Sequence, residues 1–213
     1  MGCFAKGCLT ILIIGGLFIF AVIGTGWYVL HKLASNNLIS DSPSLVQVEP
    51  PTDAQYQAAE SSLNRVKEAA TARREETVSF TAADLNALLA KNPDFRDFEG
   101  HARVEIADSI MTINLSAPLN RLWSSRKQRW FNGTVRFTGN YEDGEFQVTL
   151  LSASGGDYEV PGYILSSINS NIDRPMMEAF DDLRGEDNTG IDLRRVKRMV
   201  IDGDKLIITT KPN

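Results

Sequence analysis

Leu9 to Leu30 reads LTILIIGGLFIFAVIGTGWYVL, 22 residues without one charge. No other stretch constrains the chain as much. A helix of that length reaches about 33 Å, enough for a hydrocarbon core of about 30 Å. Trp27 and Tyr28 stand at its C-terminal end, where amphipathic rings favour the headgroup layer, and His31 and Lys32 mark the exit into water. The run predicts a transmembrane anchor over residues 9–30, after a short tail of residues 1–8. The competing reading is a signal peptide cleaved near Gly24 and Gly26. Its apolar core would be only about 7–15 residues long and would follow a more basic start than Lys6 alone provides. A short tail before a large domain is a signal-anchor layout, with the N-terminus inside and the domain outside.

Charge divides the chain at the same place. All 27 acidic residues lie beyond position 40, whereas residues 1–32 hold only Lys6 and Lys32. Removing those two from the 22 basic residues leaves 20 against 27, a net charge of −7 for the remainder. A domain that acidic repels phosphate backbones, which argues against nucleic acid as a partner. Both cysteines, Cys3 and Cys8, precede the apolar run. The domain therefore has neither disulfides nor a thiolate zinc site. Met1-Gly2-Cys3 lacks the Ser or Thr that myristoylation needs at position 6, and Cys8 stands before the apolar run, where a lipobox cannot lie.

Residues 31–51 read as a linker, rich in Ser with Asn36, Asn37 and Asp41, and ended by Pro50-Pro51. Residues 52–213 read as one α+β domain. Thr52 with Gln55 forms a capping box, and Tyr56, Ala59, Leu63, Val66 and Ala70 make one stripe along a helix reaching about Arg74. Thr81 with Asp84 opens a second helix, buried through Leu85, Leu88 and Leu89 and stopped by Asn92-Pro93. The period then changes to two. Ala102, Val104 and Ile106 predict one strand, and Met111, Ile113 and Leu115 the next, with Asp108-Ser109 turning between them. Phe131, Val135 and Phe137 predict a third, joined through Asp143-Gly144 to Phe146, Val148 and Leu150. Pro161 starts a third helix with Ile164, Leu165, Ile168 and Ile172. Met176, Met177, Phe180 and Leu183 continue beyond the break at Pro175. Val196–Ile201 and Leu206–Thr210 close the chain as a hairpin around Asp202-Gly203. The expected fold is α+β: an N-terminal transmembrane helix, then a mainly antiparallel curved sheet packed on helices.

Phe80-Thr81-Ala82-Ala83-Asp84-Leu85-Asn86-Ala87-Leu88-Leu89 is similar to the T-x-x-(D/E)-L-N-x-L-L opening of a family of bacterial single-span envelope proteins. Val160-Pro161-Gly162-Tyr163-Ile164-Leu165 and the closing Val200-Ile201-Asp202-Gly203-Asp204-Lys205-Leu206 resemble later parts of that family. The relatives are the YpmS-like and LmeA-like proteins, lipid-binding in reputation and similar in build to half of a tubular lipid-binding (TULIP) module. The likeness spans about residues 78–210, and its motifs mark caps and turns rather than chemistry. It implies a long curved sheet wrapping a helix, with an apolar groove between them. It also implies a place at the bacterial inner membrane, with the C-terminal domain outside the cytoplasm.

A bent sheet and a single helix leave a slot suited to acyl chains. The expected ligand lining is Ile113, Leu115, Val135, Phe137, Phe146 and Val148, facing Ile164, Ile168, Met176 and Met177. The same alternation also describes an ordinary filled core. Expected membrane-surface residues are Trp27, Tyr28, Lys32, Trp123 and Trp130, the last two interleaved with Arg126, Lys127 and Arg129. No G-x-S-x-G, H-E-x-x-H, P-loop or dinucleotide fingerprint occurs, so no catalytic residue is assigned. His101 begins a strand and reads as a solvated strand end, with Glu99 as its nearest acid. Asp181, Asp182, Glu186 and Asp187 lack the alternation of a calcium loop, so no metal site and no cofactor is expected. Asn114-Leu115-Ser116 and Asn132-Gly133-Thr134 match glycosylation sequons, which matter only in a secretory eukaryote. The expectation is a membrane-anchored, non-enzymatic domain that binds membrane lipid or another long apolar ligand. The alternative is a tethered module that docks a protein through its acidic surface or the helix of residues 53–74. The sequence leaves the oligomeric state open.

Overall fold

Two threonines set the first helices. Thr52 caps α1 (Asp53–Thr71): its hydroxyl accepts from Gln55 N at 3.2 Å, and Gln55 Oε1 accepts from Thr52 N at 2.8 Å. Thr81 caps α2 (Ala82–Lys91) in the same way, with Asp84 reaching back. Each box satisfies amide donors that a helix start would otherwise leave unpaired. The computed structural model describes residues 39–44, 46, 50–92, 100–118, 130–142, 144–156, 158–170 and 195–212.

Around the helices run β1 (Ile39–Ser40), β2 (Thr77–Thr81), β3 (Ala102–Ala107), β4 (Ile110–Pro118), β5 (Trp130–Glu142), β6 (Glu145–Gly155) and β7 (Tyr158–Glu159). The short α3 (Gly162–Asn169) follows, then β8 (Val196–Asp202) and β9 (Lys205–Thr210). The fold is α+β, and its described strands join one curved antiparallel sheet. One part of the expected fold class is corrected. No helix among the described residues is long and apolar enough to cross a membrane. The longest of them, α1, has a half-polar surface carrying Asp53, Glu60, Arg65, Lys67 and Glu68. Leu9–Leu30, where the anchor was expected, lies outside the described residues, as do Met176 and Met177.

The long strand β5 organises the sheet. Residues 134–137 pair with β4 on one edge and β6 on the other, and residues 140–142 pair with β8 and β6. With β6 common to both, β4 and β8 must follow one another along a single edge. The β3–β4 and β8–β9 hairpins therefore meet tip to tip. Ser109 N donates to Gly203 O at 2.8 Å, and Ser109 Oγ accepts from Gly203 N at 2.9 Å. Asp108 and Ser109 both hold positive φ (53° and 59°), the signature of a type I′ turn. A serine there is strained. Its bonds to Gly203, and the hydroxyl of Thr138 donating to Ser109 O at 2.8 Å, offset that cost.

Alternation buries one face of the sheet. Val104, Ile106, Met111, Ile113, Leu115, Val135 and Phe137 form one cluster with Leu63 and Val66 of α1 and Leu85, Leu88 and Leu89 of α2. The stripe of α1 thus packs inside its own domain. Two asparagines act as short substitute strands on open edges. Asn86 of α2 donates Nδ2–H to Val104 O (2.7 Å) and accepts from Val104 N (2.8 Å). Asn169 at the end of α3 does the same for Leu150 of β6, at 3.0 and 2.8 Å. Beside that clamp, Leu150 pairs with Phe137 and Ser152 with Arg136, so Leu151 is the extra residue of a bulge.

Close approach at Gly139 holds β5 to β6. A Cβ there would stand 2.7 Å from Gln147 O and 2.9 Å from Val148 Cγ2. Backbone cannot yield as a side-chain tip can, so Gly139→Ala is expected to lower the unfolding free energy by about 1–3 kcal/mol. Urea denaturation measures it, and an unchanged midpoint would contradict the packing described.

Glu76 fastens the end of α1 to β2. Its carboxylate meets Arg65 and Arg74, each at 2.7 Å. The hydrogen bond from Arg65, with the charges of both guanidiniums, holds its pKa below the ordinary glutamate value. A carboxyl depressed in the folded state stabilises above its unfolded pKa, and that contribution is lost as pH falls through the folded value. Glu76→Gln is accordingly expected to flatten the acid limb of thermal stability against pH while changing little in high salt. Both arginines are solvent-exposed and their charges screened, so the effect is modest.

Candidate functional site

The expected apolar lining and the membrane-surface residues separate in the structure. Ile113, Leu115, Val135, Phe137, Phe146 and Ile164 are buried in the single core cluster, with Val148 and Ile168 half-buried against it. Met176 and Met177 fall outside the described residues, as do Trp27, Tyr28, Lys32 and Trp123. Trp130 begins β5 between Pro118 of β4 and Ser40 of β1. It is half-buried, with its ring centroid 5.5 Å from that of His101. His101 is therefore not the solvated strand end that its neighbours in sequence suggest. It is half-buried, with its Nδ1 without a hydrogen-bond partner among the described residues, and a tryptophan far along the chain lies against it.

The core reaches the surface at the β6–α3 margin. Ile164 and Leu165 of α3 are buried and Ile168 is half-buried. Leu151 in the bulge is 40% exposed and Tyr163 at the start of α3 is 69% exposed, the large hydrophobic side chains left outside among the described residues. A helix of only eight residues cannot roof an eleven-residue strand, so among the described residues this border is thinly covered.

A second hollow lies on the opposite, polar face. Arg103, Asn114, Thr134 and Ser154 sit in one cross-strand row on β3 to β6, out of phase with the core residues. The N-terminal segment straps this face. Ile39 and Ser40 pair with Phe131 and Trp130. Asn132 Nδ2–H then donates to Ser42 O at 2.9 Å. Ser44 N donates to both Ser116 Oγ and Asn132 Oδ1 at 3.1 Å, and Val46 N donates to Gly100 O at 3.1 Å. Between strap and sheet is a cleft of about 530 Å³, lined by residues that include Ser40, Ser44, Arg103, Asn114, Asn132 and Thr134. Gly133 and Gly156 leave backbone open at its wall. The two sequon asparagines stand here. Asn132 binds the strap and Ser116 (2.7 Å), and Asn114 Oδ1 accepts from Thr134 at 2.6 Å.

Sequence reading missed this cleft. Its one signal was the polar half of the strand alternation, which marks any solvent face. Among the described residues no group of three or more His, Cys, Asp or Glu could hold a metal. Compared with family models, curated proteins and solved structures, the chain matches none.

Proposed function

We propose that this chain is a non-enzymatic binding protein of the cell envelope whose α+β domain takes a lipid or another long apolar ligand at the β6–α3 margin. The observation behind this reading is the thin cover there among the described residues: Val148 and Ile168 are half-buried, and Leu151 and Tyr163 stand exposed beside the core. An acyl chain laid along the margin would remove that apolar surface from water, at about 25 cal/mol per Å². Native mass spectrometry of the full-length protein, released from membranes in mild detergent, tests it. Bound lipid is expected on the unmodified protein and lost from Ile168→Glu, which places a charge at the margin. A folded protein free of lipid in every preparation would defeat the proposal.

A second reading is a module that docks a protein partner through its acidic surface or α1. The burial of six expected lining residues in one packed cluster favours it, because a filled core needs no cargo. Crosslinking in membranes that recovers one protein partner, with no lipid retained, would support this reading over the first.

A further inference from the structure

We propose that the strapped cleft on the polar face is a binding site for a short uncharged saccharide. Three observations carry this. The cleft holds about 530 Å³, inside the range of about 300–1,000 Å³ for small-ligand sites. Beside Val46 and Leu115 it is lined by hydroxyls and amides of Ser40, Ser44, Asn114, Asn132 and Thr134, groups that donate and accept alike, as sugar hydroxyls do. Among the described residues its lining holds one cation, Arg103, which already meets the Glu105 carboxylate at 3.2 Å, and no acid. An anionic ligand would have to share that guanidinium, and a cation would meet no carboxylate among the described lining residues.

Position adds a second argument. Trp130 pairs with Ser40 and lies two residues before Asn132, which puts it on the same face of β5 as the cleft, next to the lining and against His101. An aromatic ring at the border of hydrogen-bonding groups would extend the site for the apolar side of a pyranose. Glycine at 133 and 156 lets a ligand approach main chain without meeting a Cβ. The strap supplies Ser40 and Ser44, and Asn132 holds it through Ser42 and Ser44. The wall is thus positioned before any ligand arrives, and little ordering remains to oppose binding.

The test is titration of the ¹⁵N-labelled full-length protein with maltotriose, cellotriose, chitotriose and, as the anionic counterpart, trigalacturonate. Titration runs to about 10 mM, past the affinity of a ligand held by a few hydrogen bonds. At least one neutral trisaccharide is expected to move, saturably, the side-chain amides of Asn114 and Asn132 and the main-chain amides of Gly133 and Gly156. Thr134→Val keeps the branched shape on an outward strand position and should weaken that sugar about tenfold, or about 1.4 kcal/mol. Ser40→Ala, outside the central strands, is a second variant with the same expected direction. No saturable shift at these four residues with any neutral trisaccharide overturns the proposal. So does tighter binding of trigalacturonate, or two variants that bind like the unaltered protein.

Discussion

Phe80→Ala is expected to lower the unfolding free energy by about 3–5 kcal/mol. Phe80 is 2% exposed and among the largest fully enclosed side chains. It lies on β2 opposite Leu206 of β9, on the face covered by α1 and α2. Truncation removes a ring's worth of burial and leaves a hole that strands and helices held by caps and clamps cannot collapse into. Phe80→Leu keeps most of the volume and should cost far less. Tyr163→Ala, at an exposed position, should stay within about 0.5 kcal/mol of the unaltered protein. Chemical denaturation of the three variants measures the order. A loss for Phe80→Ala below about 1 kcal/mol would mean the cluster is loosely packed there.

The other large effect is expected at Asn86. Alanine in its place removes both bonds to Val104 and leaves a main-chain N–H and C=O unpaired beside a side chain only 4% exposed. Each such group costs about 1–3 kcal/mol, so the expected destabilisation is about 2–6 kcal/mol. Hydrogen exchange gives a more local reading. The Val104 amide should lose its protection in Asn86→Ala, while the β8–β9 amides change only with global stability. Asn86→Asp keeps an acceptor for Val104 N and sets an oxygen against Val104 O, so it should fall between. Protection unchanged at Val104 would show that the side-chain clamp is not what holds that edge.

Asn86 also shows where sequence reading stopped. Its place in the run Thr81–Leu89 was visible, and so were the cap and the buried leucines, because those depend on neighbours three or four residues away. The partner of its amide is 18 residues off, and no local pattern names it. The turns at Asp108-Ser109 and Gly203 follow the same rule: their conformations were legible, their contact with each other was not. Alternation located β3 to β6, yet could not register the bulge at Leu151 or the handover of one β5 edge from β4 to β8. The cleft was least legible. Ser40, Ser44, Asn114 and Asn132 are brought together by pairings across 72 and 88 residues, and each alone is an ordinary polar residue. The apolar run Leu9–Leu30 was the reverse case: the plainest signal in the sequence, it lies outside the described residues.

The seating of β2 against β9 ties the beginning of the domain to its end. Thr77 meets Thr209, and Thr210 closes on Arg74 and Glu76 across 136 and 134 positions. A ribosome delivers Thr77–Thr81 early and Lys205–Thr210 late. While translation proceeds, the apolar side of β2, with Val78 and Phe80, has no strand to join. Its greasy edge needs shielding by α1, α2 or a chaperone until β9 has emerged. A nascent polypeptide stalled ahead of Lys205 should accordingly be a ready target for proteolysis, however well its first helices have formed.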